Sequence, residues 1–135
     1  MGERGTILHT ADGGQSWQPQ SSGTGNDLLS VAFVSPQAGW AVGWNGTILH
    51  TADGGQSWKP QSSGTKQSPR SVAFLSPQAG WAVGYGGTIL HTADGGQSWQ
   101  SQSSGTQQFL IAVTFVSPQA GWIVGSGGTI LYFGR

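Results

Sequence analysis

Nine residues, HTADGGQSW, occur three times in this chain without a change. The copies occupy 9–17, 50–58 and 91–99. They belong to a gapless 41-residue repeat, found at 5–45, 46–86 and 87–127, and a fourth copy begins at 128 and stops at 135. A fixed period of this length is typical of architectures in which each unit buries its apolar face against the next. We therefore predict a single repeat domain over 1–135.

Each repeat predicts four β-strands. Around the second copy, the strands are "LLSVAFVS", "GWAVGW", "GTILHT" and "SWKPQSS", at 28–35, 39–44, 46–51 and 57–63. They are rich in β-branched and aromatic residues, and turns such as "PQAG" and "NG" separate them. Pro60 marks the fourth strand as an edge strand, because proline cannot donate to a central ladder. The sequence predicts an all-β fold of four-stranded antiparallel β-propeller blades.

The strand count predicts self-association. The chain begins with a third and a fourth strand (5–22), continues with two complete blades (28–63 and 69–104), and ends with a first, second and third strand (109–132). The two ends together make one more blade, which gives three blades per chain. Propellers close with about four to eight blades. We expect the ring to close by homo-oligomerisation, with a six-bladed homodimer favoured over a nine-bladed homotrimer.

The invariant stretch has the pattern Thr/Ser-x-Asp-x-Gly-x-Ser/Thr-Trp. Its members are Thr10, Asp12, Gly14, Ser16 and Trp17; Thr51, Asp53, Gly55, Ser57 and Trp58; and Thr92, Asp94, Gly96, Ser98 and Trp99. The aspartate can accept backbone N–H groups across the turn, and the glycine can take a positive φ. We expect each tryptophan to fold under its hairpin and bury a large apolar area. Three identical copies indicate a structural clasp in every blade.

This pattern resembles the Asp-box of sialidase-type propellers. The longer run "GWAVGWNGTILHTADGGQSW" (39–58) is similar to the repeat of the photosystem II assembly and stability factor family. That resemblance implies a propeller with Asp-box hairpins, seven-bladed in the family, and a role as an assembly chaperone for a reaction-centre polypeptide. This chain has three repeats, and their near-identity suggests recent amplification or engineering.

Catalytic chemistry is not indicated. Three of the five acidic residues belong to Asp-boxes, and the remaining two, Glu3 and Asp27, are too few and too separate for a carboxylate pair. His9, His50 and His91 fall on the third strands of successive blades, which diverge outward, so they are not expected to converge on a metal. We predict no enzyme, no metal site and no cofactor.

The charge and the hydropathy of the chain argue against nucleic-acid binding and against a membrane span. The formal net charge is zero, so the basic surface expected of a nucleic-acid-binding protein is missing. No run of about 18 apolar residues is present, so no membrane span is expected. There is no cysteine to form a disulfide.

The copies differ mainly in two connections. One joins the fourth strand to the next first strand, at 25–29, 66–70 and 107–111, and the other is the turn between the second and third strands, at 44–45, 85–86 and 126–127. Both should emerge on the same face of a propeller, which we call the variable face, and loops on a rigid scaffold commonly carry binding sites. The candidate contacts there are Trp44, Asn45, Lys66, Arg70 and Tyr85. The favoured function is a self-assembling scaffold; the alternatives are a protein-binding chaperone module and a multivalent lectin.

Overall fold

The computed structural model describes residues 2–134, and its regular structure consists of strands and short 3-10 turns. The strands are β1 (Ile7–His9), β2 (Gln18–Gln20), β3 (Leu28–Phe33), β4 (Gly39–Gly43), β5 (Thr47–Thr51), β6 (Lys59–Gln61), β7 (Pro69–Phe74), β8 (Gly80–Gly84), β9 (Ile89–Thr92), β10 (Gln100–Gln102), β11 (Leu110–Ser117), β12 (Ala120–Gly125) and β13 (Ile130–Phe133). The 3-10 turns are Glu3–Gly5, Trp44–Gly46, Tyr85–Gly87 and Ser126–Gly128. The all-β prediction is confirmed. None of the described elements is a helix long and apolar enough to cross a membrane.

These strands form four antiparallel sheets in chain order. Two are complete four-stranded blades, which we call blade 1 (β3-β4-β5-β6) and blade 2 (β7-β8-β9-β10). They are preceded by a two-stranded sheet, the N-terminal hairpin (β1-β2), and followed by a three-stranded one, the C-terminal sheet (β11-β12-β13). The strand order within each blade is the predicted meander, and the fourth strand, which contains Pro60 in blade 1, lies at the edge.

The fourth strands are shorter than predicted. In blade 1 the strand begins at Lys59 and ends at Gln61 instead of covering 57–63. Ser57 does not enter the ladder because its N–H and hydroxyl both bond to Asp53 in the preceding turn. The third strand likewise begins at Thr47 rather than Gly46. The Asp-box and the Asn-Gly turn thus include residues that the sequence predicts to lie in strands.

The turn between β4 and β5 has the dihedral angles that Asn-Gly favours. Asn45 has φ 60° and ψ 35°, and Gly46 has φ 72°. Two successive positive φ angles match a type I′ turn, whose twist suits the flanking antiparallel strands. The Thr47 N–H closes the turn by donating to the Trp44 carbonyl oxygen.

First strands of neighbouring sheets lie side by side. The Ser30 hydroxyl of β3 accepts a hydrogen bond from the Val72 N–H of β7 at 3.3 Å, and Ser71 accepts one from Val113 of β11 at the same distance. Each first strand also carries a bulge near its start, where Leu29, Arg70 and Ile111 are the extra residues. The first strands are therefore the innermost ones, and the fourth strands lie outside.

The apolar core lies between the sheets. One cluster joins blade 1 to blade 2 and includes Trp40, Ile48, Leu90 and Trp99. A second joins blade 2 to the C-terminal sheet, and a third joins the N-terminal hairpin to blade 1. The sheets thus bury their apolar faces against neighbouring sheets, which explains why the sequence repeats.

Candidate functional site

The Asp-box is a closed network of short hydrogen bonds. In blade 1, Asp53 Oδ1 accepts from the Thr51 hydroxyl at 2.8 Å and from the Ser57 N–H at 2.8 Å, while Oδ2 accepts from the Ser57 hydroxyl at 2.6 Å. The Gly55 N–H donates to Thr51 Oγ1 at 2.8 Å. Gly55 has φ 91°, a conformation that residues with a Cβ rarely adopt. The threonine, aspartate, glycine and serine of the pattern therefore each have a hydrogen-bonding or conformational task.

The other two copies form the same network. Its members are Thr10, Asp12, Gly14 and Ser16 in the N-terminal hairpin, and Thr92, Asp94, Gly96 and Ser98 in blade 2. The serine hydroxyl, the serine backbone N–H and the threonine hydroxyl together lower the pKa of Asp12, Asp53 and Asp94 to about 2. All three aspartates are engaged within their own turn, which makes them structural groups.

The three box tryptophans differ in their surroundings. Trp58 and Trp99 are 8% and 7% exposed, as expected of a clasp, whereas Trp17 is 56% exposed. The expectation that every box tryptophan is buried is therefore wrong for Trp17. The indoles of Trp58 and Trp99 pack edge-on against Phe33 and Phe74 of their own blades. Within residues 2–134, the sheet of the N-terminal hairpin contains only β1 and β2, so no first or second strand supplies such a residue there.

The connections divide between two faces as the meander requires. On the variable face, the Trp44 N–H donates to the Asp27 carbonyl, and the Tyr85 N–H donates to the Ser68 carbonyl. On the opposite face, Gly54 N–H donates to the Gln37 carbonyl at 2.9 Å. The regions that vary between copies therefore cluster together, and the unchanged ones lie on the other side.

An aromatic row crosses the variable face. The rings of Trp44 and Tyr85 lie 5.6 Å apart, and those of Tyr85 and Phe109 stack at 4.0 Å. Trp44 is exposed, and the other two are half-buried. Phe109 was missed as an individual site residue, although it lies within the variable connection 107–111. Only the fold brings it beside Tyr85, because the two come from different sheets.

The polar candidates on this face are spread out. Arg70 is the bulge residue of β7, and its Nη1 donates to the Leu29 carbonyl of β3 at 3.3 Å. Asn45 donates from Nδ2 to Asn26 Oδ1 at 3.2 Å and from its N–H to Ser68 Oγ. Lys66 is exposed in its connection. The structure thus groups Trp44 and Tyr85 with Phe109, places Arg70 at the inner strands, and leaves Lys66 apart.

The histidines lie against tryptophans. The rings of His50 and Trp40 are 4.9 Å apart, and those of His91 and Trp81 are 4.8 Å apart. Burial lowers the pKa of both histidines. Within residues 2–134, no three His, Asp or Glu side chains come close enough together to hold a metal ion. His9 lies on β1 and is exposed.

Solved structures with this fold include two described as YCF48. One, "YCF48 bound to D1 peptide", is 29% identical to this chain with a TM-score of 0.71, and the match covers 80% of this chain and 37% of that one. The other, from Cyanidioschyzon merolae, is 21% identical with a TM-score of 0.83, covering 98% and 45%. An ancestral GH74 enzyme is 17% identical with a TM-score of 0.76, covering 97% and 20%. The fold of the chain is that of antiparallel β-propeller blades.

The chain spans less than half the length of each of these solved proteins. No curated protein matches it. The profile of the family described as Photosynthesis system II assembly factor YCF48 matches three overlapping regions, 1–58, 17–101 and 66–134. The chain therefore belongs to the Photosynthesis system II assembly factor YCF48 family.

Proposed function

We propose that the chain is a non-catalytic module that binds a polypeptide segment on its variable face. The observation that carries this proposal is the row formed by Trp44, Tyr85 and Phe109, which gives that face a continuous aromatic surface. Aromatic residues are enriched where proteins bind other proteins, since they offer a large contact area at a low entropic cost. Membership of an assembly-factor family, with one relative bound to a D1 peptide, supports the same function.

The chemistry of the face suggests what the segment contains. Apolar side chains can cover the aromatic row, and Arg70 offers a carboxylate the guanidinium N–H groups that it does not use on Leu29. Leu29 and Ile111 flank Arg70 at the equivalent bulge positions of the neighbouring first strands. We therefore expect a segment that combines apolar side chains with an acidic group or a free C-terminus.

The non-catalytic part of the proposal rests on the acidic residues. The three box aspartates are held in turns, and Asp27 Oδ1 accepts the Arg4 N–H at 2.9 Å. Carboxylates committed in this way are poorly placed to act as paired acids and bases.

The test is a binding titration with a synthetic D1 peptide as the probe. A triple variant, Trp44→Ala, Tyr85→Ala and Arg70→Ala, should weaken binding at least about tenfold, and the matched control Gln37→Ala with Gln78→Ala, on the opposite face, should leave it unchanged. Equal loss of affinity in both variants, or in neither, contradicts the assignment. Because sugar rings also stack on aromatic faces, a glycan array is run in parallel; sugar binding without peptide binding would replace this function by a lectin.

A second candidate function, a self-assembling scaffold, is favoured by large apolar side chains that are exposed towards both ends of the series of sheets. They are Leu8 and Trp17 of the N-terminal hairpin with Val31 and Phe33 of blade 1 towards one end, and Trp122, Val124, Ile130 and Tyr132 of the C-terminal sheet at the other. Large exposed apolar patches mark interaction sites. With three blades contributed by each chain, two copies would form a six-bladed ring and three a nine-bladed ring, of which we favour the six-bladed dimer.

Native mass spectrometry separates these states. A species of twice the 14.0 kDa chain mass supports the dimer, and one of three times that mass supports the trimer. A folded species of 14.0 kDa at every concentration would contradict the scaffold function.

A further inference from the structure

A box tryptophan fills a socket made by two adjacent sheets. Trp99 of blade 2 packs against Trp40 and Ile48 of blade 1 and against Leu90 of its own blade. Its Nε1 donates to Gln61 Oε1 on β6 of blade 1, at 3.3 Å. The ring of Phe74 meets the indole edge-on at 5.8 Å and 87°. Ala82 of β8 belongs to the same cluster.

The same socket occurs one repeat later, without its tryptophan. Adding 41 to each of those positions gives Trp81, Ile89, Gln102, Phe115, Ile123 and Leu131. All six line a cavity of about 220 Å³ between blade 2 and the C-terminal sheet. We call these six residues the empty socket. It has the counterparts of the edge-on ring, the apolar walls and the glutamine acceptor that surround the Trp99 indole.

Residues of the chain's own fourth copy also line this cavity, Phe133 among them. Phe133 of β13 stands where the other copies have Thr51 and Thr92, so it cannot supply the hydroxyl that begins an Asp-box. Its ring lies 5.8 Å from Phe115 and 6.3 Å from Trp81. The cavity remains beside it, and Phe133 itself is 41% exposed. Phe133 is therefore an incomplete filling of the socket.

The N-terminal hairpin carries the matching part. Its Asp-box is fully formed, with Thr10, Asp12 and Ser16 bonded as in the complete blades, so Trp17 is already held on its turn. More than half of that indole is nevertheless exposed. At the positions where β5 and β9 pair with a second strand, β1 has the same three residue types, Ile7, Leu8 and His9. A preformed clasp without a socket and a socket without a clasp thus occur in one chain.

We infer that the empty socket binds Trp17 of a second copy of this chain, whose β1–β2 hairpin replaces β13 and completes the C-terminal blade. This inference rests on the scaffold function proposed above and names its contact. The hairpin can enter because β13 pairs with β12 in the register that β5 uses on β4 and β9 uses on β8. Strand β1 therefore restores the same ladder and adds β2 and Trp17.

A second ring contact would form with the same placement. In the existing interfaces, Trp40 stacks on Phe74 at 3.6 Å and Trp81 stacks on Phe115 at 3.9 Å. In the proposed contact, Trp122 of one copy would stack on Phe33 of the other, because these two residues are the repeat equivalents of Trp81 and Phe115. Both are exposed in the single chain. Exchange thus buries the aromatic groups that each isolated copy leaves in water.

The first test compares two exposed tryptophans by analytical ultracentrifugation. Trp17→Ala should weaken association at least about 30-fold, the range of an interface hot spot. Trp44→Ala, on the variable face, is the matched control and should associate as the unchanged protein does. Because Trp17 is exposed in the single chain, its variant should keep the circular dichroism spectrum. Association of Trp17→Ala with undiminished affinity would overturn the inference.

The second test removes the competing strand. Phe133→Ala and Ile130→Pro should strengthen association or leave it intact, because β13 gives up its place to the hairpin. Proline blocks a ladder hydrogen bond of β13 without touching β1. If both variants stay folded and fail to associate, β13 belongs to the interface and the exchange is wrong.

The third test uses an introduced disulfide bond to cross-link the exchanged strand. The chain contains no cysteine, so a pair can be introduced cleanly. Ile7→Cys with Val124→Cys corresponds to the paired positions Ile48 and Val42 of blade 1 and should give a disulfide between chains. Val124→Cys with Ile130→Cys places the cysteines at paired positions of β12 and β13, so a disulfide within one chain would report that β13 is paired with β12. If the copies associate without forming the Ile7–Val124 disulfide, they assemble through another surface; this outcome overturns the socket inference but keeps the scaffold function. If the copies do not associate at all, both the socket inference and the scaffold function are wrong.

Discussion

The aspartate of each box lies on the surface, yet both of its carboxylate oxygens accept hydrogen bonds. Asp53 accepts from Thr51 and twice from Ser57, all within its own turn. Such local bonds tie up few residues, so they close a hairpin at a small entropic cost. They also favour the ionised carboxylate, which explains why the pKa of Asp53 is lowered to about 2.

Because the folded chain favours the ionised carboxylates, its stability depends on pH. The pKa of Asp12, Asp53 and Asp94 is about 2 in the folded chain, below the ordinary value of 3.8, so the unfolded chain binds more protons between these values. Their contribution is therefore fully present above pH 3.8 and is lost as the pH falls towards 2. We expect the urea midpoint to drop across this window, and Asp53→Asn to make that drop shallower. An unchanged slope in the variant would show that the box carboxylate is not responsible.

Two histidines add a second contribution to the pH dependence of stability. Burial against tryptophan lowers the pKa of His50 and His91 from 6.5, so both favour the neutral form in the folded chain. Stability from this source is highest above pH 6.5 and falls as the pH drops through the lowered values. A double His50→Gln and His91→Gln variant should remove this dependence and retain the loss of stability below pH 3.8 that comes from the box aspartates.

The box tryptophans provide a matched pair for measuring burial. Trp58→Ala should lower the free energy of unfolding by about 3–5 kcal/mol, because it empties a filled socket. Trp17→Ala changes an exposed indole and should shift it by no more than about 0.5 kcal/mol when the protein is dilute. Equal losses in urea denaturation would mean that the two indoles have similar surroundings, against the structure.

At the scale of the strand, the repeat made most of the fold predictable. Runs rich in β-branched and aromatic residues, the Asn-Gly turn and Pro60 predict the four strands of blade 1 and their order. The ends of strands were less predictable, because Ser57 could serve either a ladder or the Asp53 carboxylate, and only the turn geometry decides between them. Phe109 and the empty socket escaped prediction for a further reason: both depend on which side chains meet across neighbouring sheets.

Contacts between first strands can be tested one bond at a time. Ser30→Ala removes the acceptor of the Val72 N–H, and Ser71→Ala removes that of Val113. Each should lower stability by about 1 kcal/mol and speed hydrogen exchange at the valine that lost its acceptor. The effects should be additive, since the two bonds lie at different interfaces. Unchanged exchange at Val72 in Ser30→Ala would show that the bond contributes nothing to this interface.

At the scale of the whole molecule, two sheets are complete and two are not. Each complete sheet has a neighbour on both sides, whereas the outer side of each incomplete sheet faces solvent. Association that covers those sides stabilises the folded state by mass action. The melting temperature should therefore rise with protein concentration, and Trp17→Ala should abolish the rise. A melting temperature that is independent of concentration would count against assembly.

The strand exchange proposed above has a consequence for how such a chain can evolve. In that exchange the copies join inside a blade, between its second and third strands, so in-frame duplication or loss of one 41-residue unit would leave the exchanging strands unchanged. The near-identity of the copies also favours unequal recombination between them. The size of the proposed ring would then change in whole units while the proposed contact stayed the same, so genes of different repeat number would encode subunits with interchangeable ends.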